Sequence, residues 1–162
     1  SEYIAGKAAV LFTFLALDTW VPAILLLFVQ VMLAGSFAFL KANLFLFPAI
    51  TVASLVQVLL ATFTMLALSS LSNSARYVAI LYSGILFFSQ AIYGAMYGIT
   101  GGSTSFAWLA LSNNVTQVVD VIFRLAPRYT TPWQVSLIVI VGLIALSMSV
   151  LERRVRGVEV VT

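Results

Sequence analysis

The chain has 162 residues, of which 62% are hydrophobic and 8% are charged, with a net charge of +3 and neither cysteine nor histidine. A water-soluble fold of this size needs a charged surface, so the composition excludes soluble enzymes, disordered tails and nucleic-acid-binding domains and indicates a membrane protein. The lack of cysteine and histidine excludes disulfide frameworks, thiol nucleophiles, zinc sites with the usual ligands and imidazole acid–base chemistry.

Four apolar segments are long enough to cross a bilayer. A hydrocarbon core of about 30 Å needs about 20 apolar residues in a helix, and the segments that meet this length are approximately 8–34, 47–71, 77–98 and 133–151. Open strands would leave backbone groups unpaired in lipid, so helix is the only suitable conformation. The sequence therefore predicts an all-α membrane protein with four transmembrane helices.

The first apolar segment contains the only carboxylate inside a predicted span, Asp18. Pro22, one turn later, cannot donate a hydrogen bond to the carbonyl of Asp18, which leaves a local polar spot in the helix. Ionisable groups at this depth are costly and commonly functional, so Asp18 is a candidate intramembrane polar site. The alternative is a structural Asp that faces the bundle and bonds a polar side chain of a neighbouring helix, and the lack of a second titratable group favours this alternative over a proton relay.

The connections between the segments differ in length and character. Residues 35–46 are expected to form a joint with Lys41 and Asn43 before Pro48, and residues 72–75 form a short polar turn that makes the second and third helices antiparallel neighbours. The last connection is long and begins with a glycine-rich loop at 98–103.

Within that last connection, residues 112–126 have the pattern of an amphipathic helix. Its apolar side chains are Val115, Val118, Val119, Ile122, Phe123 and Ala126, and its polar ones are Asn113, Thr116, Gln117, Asp120 and Arg124. At about 15 residues the helix is too short to span, so it lies at the outer interface or forms one arm of a re-entrant hairpin.

Local rules predict how this outer helix starts, pairs and stops. Ser112 or Asn113 can cap its start, because a polar side chain there accepts a hydrogen bond from a free backbone amide. Asp120 and Arg124 are one turn apart and are expected to pair. Pro127 is expected to end the helix.

The basic residues favour cytoplasmic termini. Four spans put both termini on one side of the membrane, and the positive-inside rule makes the more basic side cytoplasmic. That side has Lys7, Arg76, Arg153, Arg154 and Arg156, against Lys41, Arg124 and Arg128 on the other.

Catalytic motifs are missing from the sequence. It has no paired carboxylates, serine elbow or dinucleotide fingerprint, and Gly6-Lys7 lacks the glycine spacing of a phosphate-binding loop. We therefore expect a chain that is not an enzyme, with no catalytic residue, metal site or cofactor of its own.

Several short motifs resemble, in order, those of one membrane protein family. Residues 2–7 read E-Y-I-A-G-K before a long apolar helix, which resembles the lead-in after the coupling helix of exporter-like (type II) ABC transporter permeases. Residues 67–71 and 76–79, on either side of the polar turn, resemble the cytoplasmic joint between that family's fourth and fifth helices. The outer segment and the closing residues 151–157 are similar to the same pattern. The resemblance covers essentially the whole chain and implies the C-terminal part of a permease domain, with two spans and the coupling helix lying before Ser1.

The resemblance also implies partners and a location. It implies a bacterial or archaeal plasma membrane and a permease dimer, with an identical copy or a homologue as the second subunit. Two cytoplasmic ATPase subunits would hold ATP and Mg²⁺ and drive export. The candidate contacts with the ATPase are Glu2, Lys7, Arg76, Arg153, Arg154 and Arg156, although the arginines suit lipid headgroups equally well. The apolar spans favour a hydrophobic or amphiphilic cargo or lipid-linked material.

Two other functions are compatible with the sequence. One is a membrane scaffold or anchor subunit that assembles a larger complex without transporting anything. The other is a proton-linked carrier built around Asp18.

Overall fold

The computed structural model describes residues 2–35, 37–72 and 74–159, without the side chains of residues 2–4 and 155–159. Its helices are α1 (Glu2–Leu33), α2 (Phe37–Ala42), α3 (Leu46–Leu71), α4 (Ala75–Ile99), α5 (Leu111–Ile122) and α6 (Trp133–Glu159), with a single 3-10 turn at Ala107–Leu109. These described residues contain no strand, so the predicted all-α fold is confirmed.

Four of these helices are long and apolar enough to cross a membrane, as the sequence predicted. The candidate spans are Ala5–Leu33, Leu46–Leu71, Ala75–Ile99 and Trp133–Arg154. The first helix is continuous through Pro22. The short helix α2 was not predicted, because six residues are too few to produce a clear helical period.

The third helix is the centre of the bundle. It packs against α1, α4, α5 and α6, and its Leu60 is buried in a core with Leu111, Val118 and Ile140. In the described part of the chain, α1 packs only against α3 and the adjacent α2, and α4 has no buried residue. Both helices therefore present apolar surface outward, which a bilayer solvates without cost.

The first and third helices are antiparallel and held together by specific contacts. The indole Nε1 of Trp20 donates to the hydroxyl of Thr51 at 3.1 Å. Nearer the end of the bundle opposite the chain termini, which we call the outer end after the predicted orientation, the rings of Phe28 and Phe47 meet edge to face, with centroids 6.3 Å apart. These contacts fix α1 against one side of α3 and leave its other faces exposed.

The outer segment folds back into the bundle. Leu111, the first residue of α5, is buried in the core with Leu60, which lies near the middle of α3, and with Ile140, the eighth residue of α6. At the other end, the Arg124 guanidinium lies 5.1 Å from the ring centroid of Phe45, just before α3. The 12 residues of α5 cover about 18 Å at about 1.5 Å per residue. The helix therefore rises from the middle of the bundle to its outer end, as the arm of a re-entrant hairpin does.

The ends of α5 differ from those predicted. The helix stops at Ile122 rather than Ala126, because Arg124 adopts a left-handed conformation with φ 57°. Its amide donates to the carbonyl of Val121 at 3.0 Å, and the Leu125 amide donates to that of Asp120 at 2.8 Å. This is the Schellman arrangement, which satisfies the last carbonyls. Pro127 is therefore not what ends the helix.

The start of α5 is also not capped as expected. Ala110 occupies the cap position and no side chain of the helix itself caps it. Instead, the Leu111 amide donates to the Ser89 hydroxyl of α4 at 3.4 Å. The prediction of a Ser112 or Asn113 cap was wrong, because the amide is satisfied from a neighbouring helix.

Candidate functional site

Four polar side chains of α5 are buried, together with the apolar Leu111 and Val118 of the core. Asn113, Asn114, Gln117 and Asp120 are each at most 6% exposed, whereas Val121 is 41% exposed. In water this arrangement would be costly, but in a bilayer polar groups are satisfied inside the protein and apolar ones face lipid. We define the outer polar cluster as Asn113, Gln117, Asp120, Arg128, Tyr129, Thr131 and Ser136.

Gln117 joins three parts of the outer polar cluster. Its side-chain amide donates to the carbonyl of Thr131, and the Ser136 hydroxyl of α6 donates to its Oε1 at 3.4 Å. The Thr131 hydroxyl in turn lies 3.1 Å from the carbonyls of Thr104 and Ser105. One connected hydrogen-bond network thus joins α5 to the loop that follows it and to the loop that precedes it.

Two asparagines of α5 brace the same hairpin. The Tyr129 hydroxyl donates to Asn113 Oδ1 at 3.2 Å, and the Tyr129 ring meets Tyr93 of α4 edge to face, at 6.4 Å between centroids. Asn114 is fully buried, and its Nδ2 donates to the carbonyls of Trp108 and Ala110 at 2.8 and 3.0 Å. These bonds attach α5 to carbonyls of the irregular segment that descends into the bundle, and the Ala110 carbonyl also accepts the Asn114 amide at 3.1 Å.

Asp120 pairs with Arg128 rather than with Arg124. The Arg128 Nε lies 2.9 Å from Asp120 Oδ2, with the two side chains 61% and 3% exposed. Asp120 Oδ2 accepts no well-aligned hydrogen bond from the described residues, so the contact is an ion pair. The predicted pair was wrong because the helix ends before Arg124 and sends its guanidinium over Phe45. Helical spacing in the sequence could not identify Arg128 as the partner of Asp120, because the position of Arg128 depends on the turn that follows α5.

A single-cysteine experiment tests the burial of the α5 polar side chains and the orientation together. We expect Ala126→Cys, which is exposed beyond α5, to react with an impermeant maleimide added from outside intact cells. Gln117→Cys is expected to react at least about tenfold more slowly, because its position is 3% exposed. Labelling of Ala126→Cys only after the membrane is opened would reverse the predicted orientation, and equal rates would contradict burial of Gln117.

A second feature is a cavity of about 410 Å³ between α1, α3, α4 and α5, which we call the midplane cavity. It lies beside the middle of α3, at Val58, Leu60 and Ala61. Its lining is apolar except for five side chains, which are Thr19, Gln57, Tyr82, Ser112 and Thr116. No pattern in the sequence connects Gln57 of α3 to Tyr82 of α4.

Asp18 is exposed on α1. It makes no hydrogen bond or ion pair with the described residues, so the expectation that it faces the bundle and bonds a neighbouring helix is not met there. Its neighbour Thr19 lines the midplane cavity, and successive helical residues point about 100° apart. Asp18 therefore lies beside the cavity and not in its lining.

The candidate contacts with an ATPase lie at the ends of three helices. Lys7, Arg76, Arg153 and Arg154 are exposed, and the alternating direction of the spans puts them at one end of the bundle. Glu2 and Arg156 belong to α1 and α6, but their side chains lie outside the described part of the structure. These residues remain predicted contacts.

Comparisons of this chain with protein-family models, curated proteins and solved structures found no match. The resemblance to ABC transporter permeases therefore depends on the order of the sequence motifs.

Proposed function

We propose that this chain is the C-terminal part of the transmembrane permease domain of an ABC transporter that works in export. The observation that carries the proposal is the re-entrant α5, whose buried first residue Leu111, together with Ser112 and Thr116, lines a partly polar cavity in the middle of the bundle. An anchor needs only apolar helices packed together. A permease needs polar groups within the bundle that a cargo can contact, and the midplane cavity supplies them.

Energy would come from a separate cytoplasmic ATPase that holds ATP and Mg²⁺. The exposed basic residues at the cytoplasmic end suit contact with such a subunit. The α3–α4 joint beside Arg76 is short, and the Ser74 amide donates to the Ser72 hydroxyl at 3.3 Å within it. A short joint of this kind transmits movement at Arg76 directly to both helices. A second permease copy or a homologue and membrane lipid complete the proposed assembly.

The alternative is a scaffold or anchor subunit of a larger membrane complex. The observation in its favour is the exposed apolar surface of α4, which has no buried residue in the described chain. Such a surface can pack against the helices of other subunits as well as against lipid.

Purification of the full-length parent protein in a mild detergent separates the two functions. A permease should copurify with a soluble subunit carrying a G-x-x-x-x-G-K-S/T loop, and the ATPase rate of that subunit should depend on the membrane chain. A scaffold should copurify with other membrane subunits and without such an ATPase.

Charge reversal at the cytoplasmic end tests the coupling in more detail. We expect Arg76→Glu to reduce permease-dependent ATP hydrolysis at least about tenfold, because like-charge contact at an interface costs several kcal/mol. The matched control is Lys41→Glu, which reverses an exposed cation at the other end of the bundle. Equal loss in both variants, or none in Arg76→Glu, would contradict a contact at Arg76.

A further inference from the structure

We propose that the midplane cavity binds an uncharged single-chain amphiphile, of the class of monoacylglycerols and long-chain alcohols, which enters sideways from the bilayer. As a statement about cargo, this inference rests on the proposed function. As a statement about binding, it depends only on the contents of the cavity and is tested without transport or ATP.

The cavity opens between two helices that do not pack together. Leu15 and Thr19 of α1 line one wall, and Tyr82 and Leu86 of α4 line the other. In the described chain α1 is not packed against α4 or α5, so the gap between the walls is floored by α3 and α5 and faces the bilayer. A ligand dissolved in the membrane therefore reaches the cavity without passing through either aqueous side.

Two polar side chains in the lining have hydrogen-bonding capacity that the described residues do not use. The other three polar side chains already have partners. The Thr19 hydroxyl donates to the carbonyl of Leu15 at 2.6 Å, and the Thr116 hydroxyl donates to the carbonyl of Ser112 at 2.9 Å. The Ser112 hydroxyl donates to Gln90 Oε1 at 2.9 Å. By contrast, Gln57 and Tyr82 have no hydrogen-bond partner among the described residues.

Unpaired polar groups are costly inside a membrane, so a ligand that pairs with them gains affinity. The Gln57 amide offers two donors and an acceptor, and the Tyr82 hydroxyl offers one donor and an acceptor. Hydroxyl and ester groups complement both side chains. An alkane, which has neither donors nor acceptors, does not.

The lining also limits the charge and size of the ligand. It contains no charged side chain, so an ionised carboxylate or phosphate headgroup would have no cation in the lining to pair with, which disfavours ionised fatty acids and phospholipids. The remaining lining is apolar and suits a hydrocarbon chain. The volume of about 410 Å³ is near the lower end of the range of about 300–1,000 Å³ for small-molecule sites, which favours one chain over two.

The test uses a monoacylglycerol that carries a diazirine and an alkyne in its acyl chain. The full-length protein is reconstituted in lipid nanodiscs with this probe, irradiated and digested, and the labelled peptides are identified by mass spectrometry. We expect labels around Leu15, Ala61 and Val115, which competition with unlabelled monoacylglycerol removes. Competition with an alkyl sulfate of the same chain length, which stays charged in the membrane, is expected to have little effect.

Substitutions in the cavity identify the groups that bind the probe. Gln57→Leu and Tyr82→Phe should each lower labelling about three- to tenfold, the range expected for one hydrogen bond inside a membrane. Ala61→Phe should abolish labelling by filling the cavity. The matched controls at exposed positions are Gln30→Leu, Tyr77→Phe and Ala79→Phe, which should leave labelling unchanged. Size-exclusion profiles identify any variant that fails to fold, and the two polar substitutions remain informative if Ala61→Phe does.

Three results would overturn the proposal. The first is labelling that is unchanged in Gln57→Leu and Tyr82→Phe. The second is labelling confined to the exposed surface of α4. The third is that crosslinking shows helices of a second copy of the chain, and not the probe, in the cavity. The outcome is separable from that of the proposed function. Specific labelling without an ATPase partner would support the binding site and contradict the permease function. A coupled ATPase without specific labelling would support the permease function and contradict the binding site.

Discussion

Replacement of Arg128 by methionine is expected to destabilise the outer segment by about 2 kcal/mol. The Asp120 carboxylate is 2% exposed, and Arg128 supplies its positive partner at 2.9 Å. Truncation of one member of a buried ion pair costs about 3–5 kcal/mol because the other charge is left buried and unpaired. The Arg128 side chain is 61% exposed, and solvent screening lowers the expected cost accordingly. Thermal unfolding of the full-length protein in detergent measures the change.

Lys41→Met is the matched control, since it removes an exposed cation at the same end of the bundle. We expect its effect to stay within about 0.5 kcal/mol, as for surface substitutions in general. Asp120→Asn should restore much of the stability of Arg128→Met, because it removes the charge that the arginine neutralised. If the two changes are additive in a double-mutant cycle, the ion pair contributes nothing.

The contrast between the spans and the outer segment shows what the sequence can predict. A transmembrane helix is defined by length and hydropathy alone, so segments such as 47–71 and 77–98 correspond closely to α3 and α4. The outer helix was found from its period, but which face is buried depends on the surroundings. Gln117 and Asp120 are buried, and so is the apolar Val118, so α5 inserts among the other helices instead of lying with its polar side in water.

Contacts that depend on turns or on helix packing were beyond sequence reasoning. The Asp120 partner was misassigned because the left-handed Arg124 redirects the chain before Arg128. The midplane cavity joins Gln57 and Tyr82, which lie on different helices. Their proximity follows from how α3 and α4 pack beside α5, and no spacing along the chain encodes it.

Asp18→Leu is expected to make insertion of α1 into the membrane more favourable by about 3 kcal/mol. This corresponds to a roughly 100-fold increase in the equilibrium constant for insertion. The side chain is near the middle of the Ala5–Leu33 span, and it is exposed. A carboxylate at the centre of a span costs about 2.5–3.5 kcal/mol on insertion scales. The measurement is the inserted fraction of α1 in a glycosylation-mapping assay. Gln30→Leu, which replaces another exposed polar residue of α1, should have a much smaller effect.

Asp18 has two candidate roles in the assembled protein. If Asp18 carries a proton during transport, Asp18→Asn should abolish transport while expression and assembly stay normal, because an amide cannot exchange the proton. If Asp18 instead bonds a polar group on another subunit, Asp18→Asn should keep transport and Asp18→Leu should weaken assembly, because only the amide can still hydrogen-bond. Normal transport and assembly in both variants would remove any functional role for Asp18 and leave the midplane cavity as the polar site of this bundle.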